Sequence, residues 1–155
     1  MKRTISAWKW SLLLLACGAW MTLEQPTWGA GPVEEGGANQ PHRVVMHLNS
    51  GDEKVQRGAL NNIKNLYLEL GQQTLTVELV VHGAALPLLL RKGTALSAEL
   101  RGLKQTYGVH FTACSNTMKT LNVTRDDLVD EVEDTVPAMV RLMERQEQGW
   151  TYIKP

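Results

Sequence analysis

Cys114 is the residue of this chain best suited by type and place to do chemistry. It lies in "VHFTACSNTM" (109–118), where a short apolar run gives way to small polar residues. The run predicts a strand, and the residues after it predict a short helix or turn. In open α/β sheets, ligands bind at the carboxyl ends of the strands. A helix starting just past the cysteine would aim free N–H groups and the positive end of its dipole at the sulfur. That favours thiolate over thiol. The thiolate is the form that reacts in persulfide formation and in thiol exchange. From place alone, a buried cysteine packed as a small apolar residue is an equal alternative.

Other candidates gather at the same edge. His47 stands near the end of the first expected strand, and His82 ends the second. Either ring could share a proton with the thiol, or ligate a metal together with it. The three residues lack a close ligand spacing, so no metal site is assigned, and a hydrogen-bonded structural role is the plainer reading for each histidine. Asn116 and Thr117 follow the cysteine and are candidate binding residues. His110 begins its strand and faces the opposite rim. Glu78 interrupts an apolar strand and, if buried, needs a partner. Asn61 and Asn65 stand four apart on one helix and are expected to share a face.

The elements that must position these side chains read clearly. "RVVMHLNS" (43–50) is a buried strand followed by a turn. Residues 52–71 carry apolar side chains at helical spacing, with acids in the first turn and Gly71 as a stop. Residues 74–83 form a second strand, apolar enough to be covered on both faces. Residues 86–107 predict helix, in two pieces broken near Gly93, with Thr94 capping the second. Strand 109–114 follows, then "SNTMKTL" as a short helix or turn. Thr124 and Asp127 suit a loose capping arrangement. A short strand within "EDTVP", a helix over 138–149 and a terminal strand in "WTYIKP" complete the pattern. Strands alternating with helices predict an α/β fold: a single three-layer α/β/α domain with a mainly parallel sheet of about five strands. Strand order is not legible, beyond right-handed crossovers.

The N-terminus reads differently. Lys2, Arg3 and Lys9 precede an apolar run from Trp10 to Met21, followed by a Gly- and Pro-rich stretch. A cationic flank before a short apolar run is the pattern of an export signal. The expected organisation is a leader over 1–30, a linker over 31–42 and a folded domain over 43–155. Leu14-Leu15-Ala16-Cys17 resembles a lipobox, whereas Gly29 and Ala30 suit ordinary cleavage; an uncleaved anchor is a third option. The expected location is periplasmic or exported, with membrane attachment only through the leader or through lipidation at Cys17. The chain has 16 Lys plus Arg and 16 Asp plus Glu. That balance, with no basic run, gives no reason to expect a nucleic-acid partner. Without its leader the chain keeps one cysteine, which cannot close an internal disulfide.

The segments "LNNIKNLYLELG", "VELVVHGAAL", "GVHFTACSNTM" and "DDLVDEVEDTVPAMVRLMERQEQGWTYIKP" together resemble the DsrE/DsrF-like family of bacterial sulfur-relay proteins. More narrowly, they resemble a branch with an Ala-Cys-x-Asn-Thr-Met signature, here Ala113 to Met118. The resemblance runs from Arg43 to Pro155. It implies small α/β subunits assembled as homo-oligomers, a trimer or hexamer here. It also implies that Cys114 carries sulfur as a persulfide, passed to or from a donor or acceptor protein, with no cofactor. The relay proteins best known for this work are cytoplasmic, so the leader separates this chain from their usual partners. The expected function is a persulfide carrier or sulfurtransferase acting outside the cytoplasm. The alternative is a non-catalytic ligand-binding or assembly module with a structural cysteine.

Overall fold

The computed structural model describes residues 41–155. The expected leader, Cys17 and nearly all of the linker lie outside the described residues. Eleven elements follow in order: strand β1 (His42–Leu48), helix α1 (Glu53–Leu70), strand β2 (Leu75–Val81), a 3₁₀ segment (Gly83–Leu89), helix α2 (Ser97–Tyr107), strand β3 (His110–Cys114), helix α3 (Ser115–Leu121), a 3₁₀ turn (Arg125–Asp127), strand β4 (Val132–Val136), helix α4 (Ala138–Glu147) and strand β5 (Thr151–Ile153).

The five strands form one sheet in the order β4-β3-β2-β1-β5. Every pairing is parallel. The chain steps outward from β1 to β4, then crosses back to lay β5 on the far side of β1. The strand order therefore reverses beside β1, and clefts open at such a point at the carboxyl ends of strands.

The two faces are covered unequally. Val44, Met46, Leu48, Val77, Leu79, Val81, Phe111 and Ala113 belong to the main core, together with Ala59, Leu60 and Ile63 of α1 and Leu100 and Leu103 of α2. The other face carries a smaller cluster of Val45, Val80 and Cys114 under Ala138 and Leu142 of α4, with Trp150 at its edge. The near-continuous apolar character of β1 and β2 follows from this two-sided cover.

Local chemistry explains most boundaries. The Asp52 carboxylate accepts the Lys54 amide at 2.7 Å and starts α1. Gly71, at φ +85°, ends it, its amide donating to the Tyr67 carbonyl. Two expectations need correction. The first helical piece after β2 is a 3₁₀ segment that begins at Gly83 and contains Pro87, which has no N–H for an α-helical ladder. Thr94 does not cap α2: its hydroxyl accepts the Leu96 amide at 3.0 Å in a turn ahead of the helix. Thr124 and Asp127 do form a reciprocal capping box, but around a single 3₁₀ turn.

Candidate functional site

Side chains along parallel strands alternate between faces. On the face under α4, β1 presents Val45 and His47, β2 presents Glu78 and Val80, and β3 presents His110, Thr112 and Cys114. Tyr152 of β5 stands opposite Val45 and shares this face. The polar residues divide into a group at each rim, separated by the apolar cluster.

The carboxyl rim holds the thiol. Cys114 ends β3 and is the residue from which α3 starts. Its side chain is only 5% exposed. It does not stand in an open rim pocket beside His47, although the Asn116 amide faces its sulfur. The sulfur packs beneath Ala138, Val80 and Leu142, while the nearby hollow is lined by Asn116, Thr117, Gly83 and Pro87. That hollow has a volume of about 430 Å³.

Burial alone pushes the thiol pKa up, yet the net shift is downward. The Thr117 hydroxyl, the Ala138 amide and the amides of Thr117 and Asn116 all favour the anion. The Ala138 amide donates to Sγ at 3.5 Å. Donors from two helix starts thus converge on one sulfur, and such donors stabilise charge that a dry core would otherwise disfavour. Thr117 is held in place by its other contact, in which its Oγ1 accepts the Gly83 amide at 3.0 Å. Gly83 sits at φ +57°, a left-handed turn that suits glycine and aims this amide. Ala138 was not among the residues singled out from the sequence. The nearest signal for it is Pro137, which marks a helix start but says nothing of where that start points.

The two histidines find each other. His47 Nε2 and His82 Nε2 are 2.5 Å apart, with stacked rings 4.7 Å between centroids. His47 Nδ1 lies 2.6 Å from the Tyr152 hydroxyl. His82 keeps an extended backbone and donates its amide to Leu48, so it continues β2 by one position. Ala113 pairs with Val81, which places Cys114 beside His82 at the next position. Four adjacent strands thus contribute Cys114, His82, His47 and Tyr152 in a row. Burial, the neighbouring His82 and Lys154 hold the His47 pKa down at about 4. Burial and Lys154 also lower that of His82. Both rings are neutral at pH 7. Tyr152 lies in the C-terminal segment that resembles the family, and nothing local in the sequence points it at the site.

The opposite rim is ionic. Glu78 is fully buried and accepts the Thr112 hydroxyl at 2.6 Å. Its other oxygen pairs with Arg145, and Arg141 Nε lies 3.4 Å away. Arg141 also donates to Asp134 at 2.6 Å, and His110 contacts both Asp134 and Glu133. Glu78, His110 and Asp134 bring ligand-type atoms within 4.8 Å of one another. Two guanidinium groups already supply the positive charge there, so the cluster is built as an ion-pair network. Arg145 also stacks on Trp150, 4.4 Å from the ring centroid. Asn61 and Asn65 do not share a groove. Asn65 joins Asn62 beside Ile153 and Pro155, while Asn61 faces the groove between α1 and α2.

The fold and the site define a class: a small parallel three-layer α/β domain with a lone thiol at the carboxyl rim of its third strand. The model of the DsrE/DsrF-like family matches residues 44–155, and the chain belongs to that family. Solved structures agree. Protein MTH1491 of Methanobacterium thermoautotrophicum, described as of unknown function, is 30% identical with a TM-score of 0.69; the match covers 74% of this chain and 99% of that one. The ychN protein of E. coli is 15% identical with a TM-score of 0.58, over 75% of this chain and 99% of that one. BT1422 of Bacteroides thetaiotaomicron, a conserved protein of unknown function, is 16% identical with a TM-score of 0.53, over 73% and 94%. The last two show the fold alone. No curated protein matches.

Proposed function

We propose that this protein handles sulfur through Cys114, as a persulfide carrier or sulfurtransferase acting outside the cytoplasm. The observation that carries this reading is a nearly buried thiol whose pKa is nonetheless lowered by donors converging on the sulfur. A thiol kept only for packing in apolar surroundings would have its pKa raised. Membership of the DsrE/DsrF-like family supports the same chemistry. In the loading step the Cys114 thiolate attacks the terminal sulfur of a donor persulfide. A new S–S bond forms, the donor's S–S bond breaks, and the donor leaves as a thiolate. No external oxidant is required. The export-type leader motivates the location. A second copy of the chain is the partner best suited to α4, whose outer side exposes Met139, Val140 and Met143.

Mass spectrometry of protein isolated from its natural host tests the central claim by looking for one added sulfur atom on Cys114. The second reading, a binding or assembly module with a structural cysteine, is favoured by the 5% exposure of that residue. A thiol that carries no sulfur and reacts with labelling reagents only after unfolding would establish that reading instead.

A further inference from the structure

We propose that His82, His47 and Tyr152 form a tautomer relay, which exchanges the Cys114 proton with solvent without creating an imidazolium ion. The proposal rests on the reactive-thiol reading and adds a path for the proton. Three observations carry it. The Tyr152 hydroxyl, both nitrogens of His47 and Nε2 of His82 make an unbroken chain with contacts of 2.6 and 2.5 Å. Its inner end, His82, follows Val81, the partner of Ala113, so it stands beside Cys114 on the neighbouring strand and shares its face of the sheet. Its outer end, Tyr152, is 40% exposed and reaches water.

Two neutral imidazoles in such a chain have two proton arrangements. In the first, His47 Nδ1–H donates to the tyrosine oxygen, His82 Nε2–H donates to His47 Nε2, and His82 Nδ1 is a free acceptor. In the second, every proton has moved one place: the tyrosine O–H donates to His47 Nδ1, His47 Nε2–H donates to His82 Nε2, and His82 Nδ1 carries a proton. The first arrangement accepts from the thiol S–H. The second donates to the thiolate. Passing between them takes one proton from Cys114 and releases one from Tyr152 to water, and each ring gains one proton and loses one. Charge never rests on a ring, which suits imidazoles as weakly basic as these.

The surroundings favour this device over an ion pair. Lys154, beyond β5, opposes positive charge on both rings. The segment Gly83–Leu89 and the first turn of α3 contain no ionisable side chain. Toward the sulfur, α4 presents Ala138 and Leu142, both apolar, and its Arg141 is held by Asp134 and Glu78 at the other rim.

The test is nitrogen NMR of imidazole-labelled, full-length protein during a pH titration, with thiolate formation followed by ultraviolet absorbance. His82 Nδ1 is expected to pass from unprotonated to protonated as the thiolate appears, with the same midpoint. Its direction is diagnostic, because the ring nitrogen gains a proton while pH rises. In Cys114→Ser the change should vanish. In Tyr152→Phe, the His47 tautomer should stop following the thiol. Alkylation of that variant's thiol at pH 7 should slow by up to roughly tenfold, the scale of one hydrogen bond supporting an anion. A His82 tautomer that stays fixed while thiolate absorbance titrates would overturn the relay and leave the reactive thiol standing. Failure of the thiolate to appear anywhere in the folded range of pH would overturn both.

Discussion

The Ala138 amide at the start of α4 donates to the Cys114 sulfur at 3.5 Å, joining the carboxyl ends of the neighbouring strands β3 and β4. This contact gives the thiol a donor from outside its own loop, and it is open to a specific perturbation. Proline is accepted at the first position of a helix, where its missing N–H breaks no helical hydrogen bond. Pro137 already has the extended backbone that a residue before proline requires. We expect Ala138→Pro to raise the thiol pKa. Alkylation rate against pH measures this, and an unchanged profile would show that the amide contributes nothing. The extra ring in a tight site is expected to cost about 1–3 kcal/mol of stability.

Cys114→Ser should fold. The buried hydroxyl inherits the donors that now face the sulfur, so the loss should lie at the low end of the roughly 1–3 kcal/mol seen for a buried polar group. Denaturant unfolding measures the stability, and sulfur loading should be abolished. A loss well above that range, together with an unreactive wild-type thiol, would favour the structural reading of the cysteine.

Glu78 tests the ionic rim. Its replacement by alanine leaves Arg141 and Arg145 facing a dry sheet without their shared carboxylate. Breaking a buried pair from one side typically costs about 3–5 kcal/mol. Urea unfolding should show a loss of that size for Glu78→Ala. A change below about 1 kcal/mol would mean that the arginines swing into water and re-solvate.

The imidazole pair sets a direction for acid sensitivity. Both folded-state pKa values lie below the ordinary 6.5, that of His47 at about 4. Between those values the unfolded chain binds protons that the folded chain does not, so stability rises with pH. The contribution is fully present above about 6.5 and is lost as pH falls toward 4. Thermal unfolding from pH 7 to 4 should show it, and His47→Gln should flatten the curve in that window. An unchanged slope would mean that the pair titrates normally.

The outer side of α4 tests assembly. Met139 and Met143 stand one turn apart, 56% and 52% exposed. Charging them with Met139→Glu and Met143→Glu together should turn a homo-oligomer into monomer, as read by light scattering at micromolar concentration. A wild-type protein that is already monomeric would remove the proposal.

Much of the fold can be read from local pattern. The apolar runs of β1 and β2, the helical spacing of α1 and the strand-to-helix step at Cys114 are written within a few residues, because side-chain periodicity is local. The relationships that build the site are not. His47 and Tyr152 meet across 105 residues, and Ala138 reaches Cys114 across 24. These depend on which edge of the sheet the last crossover chooses, and periodicity carries no information about that choice. The 3₁₀ segment was missed for a smaller reason: an apolar run containing Pro87 resembles a helix by composition, while its hydrogen bonding follows a different repeat. Glu78 was legible as a residue needing a partner, although Arg141 and Arg145 could not be chosen among the basic residues.

The late return of the chain to β1 also sets an order of events in folding. Pairings between neighbours in sequence close short loops and form readily, whereas the β1–β5 pairing must close the longest loop in the sheet. A chain that has paired only β1, β2 and β3 already holds Cys114 and both imidazoles, but it lacks α4 above the sulfur and the tyrosine at the end of the row. Its thiol keeps the Thr117 and Asn116 donors of its own loop and lacks the Ala138 amide. The last part of the acidity of Cys114 is then acquired only when α4 is laid over the sulfur, so an incompletely folded molecule carries a less reactive thiol.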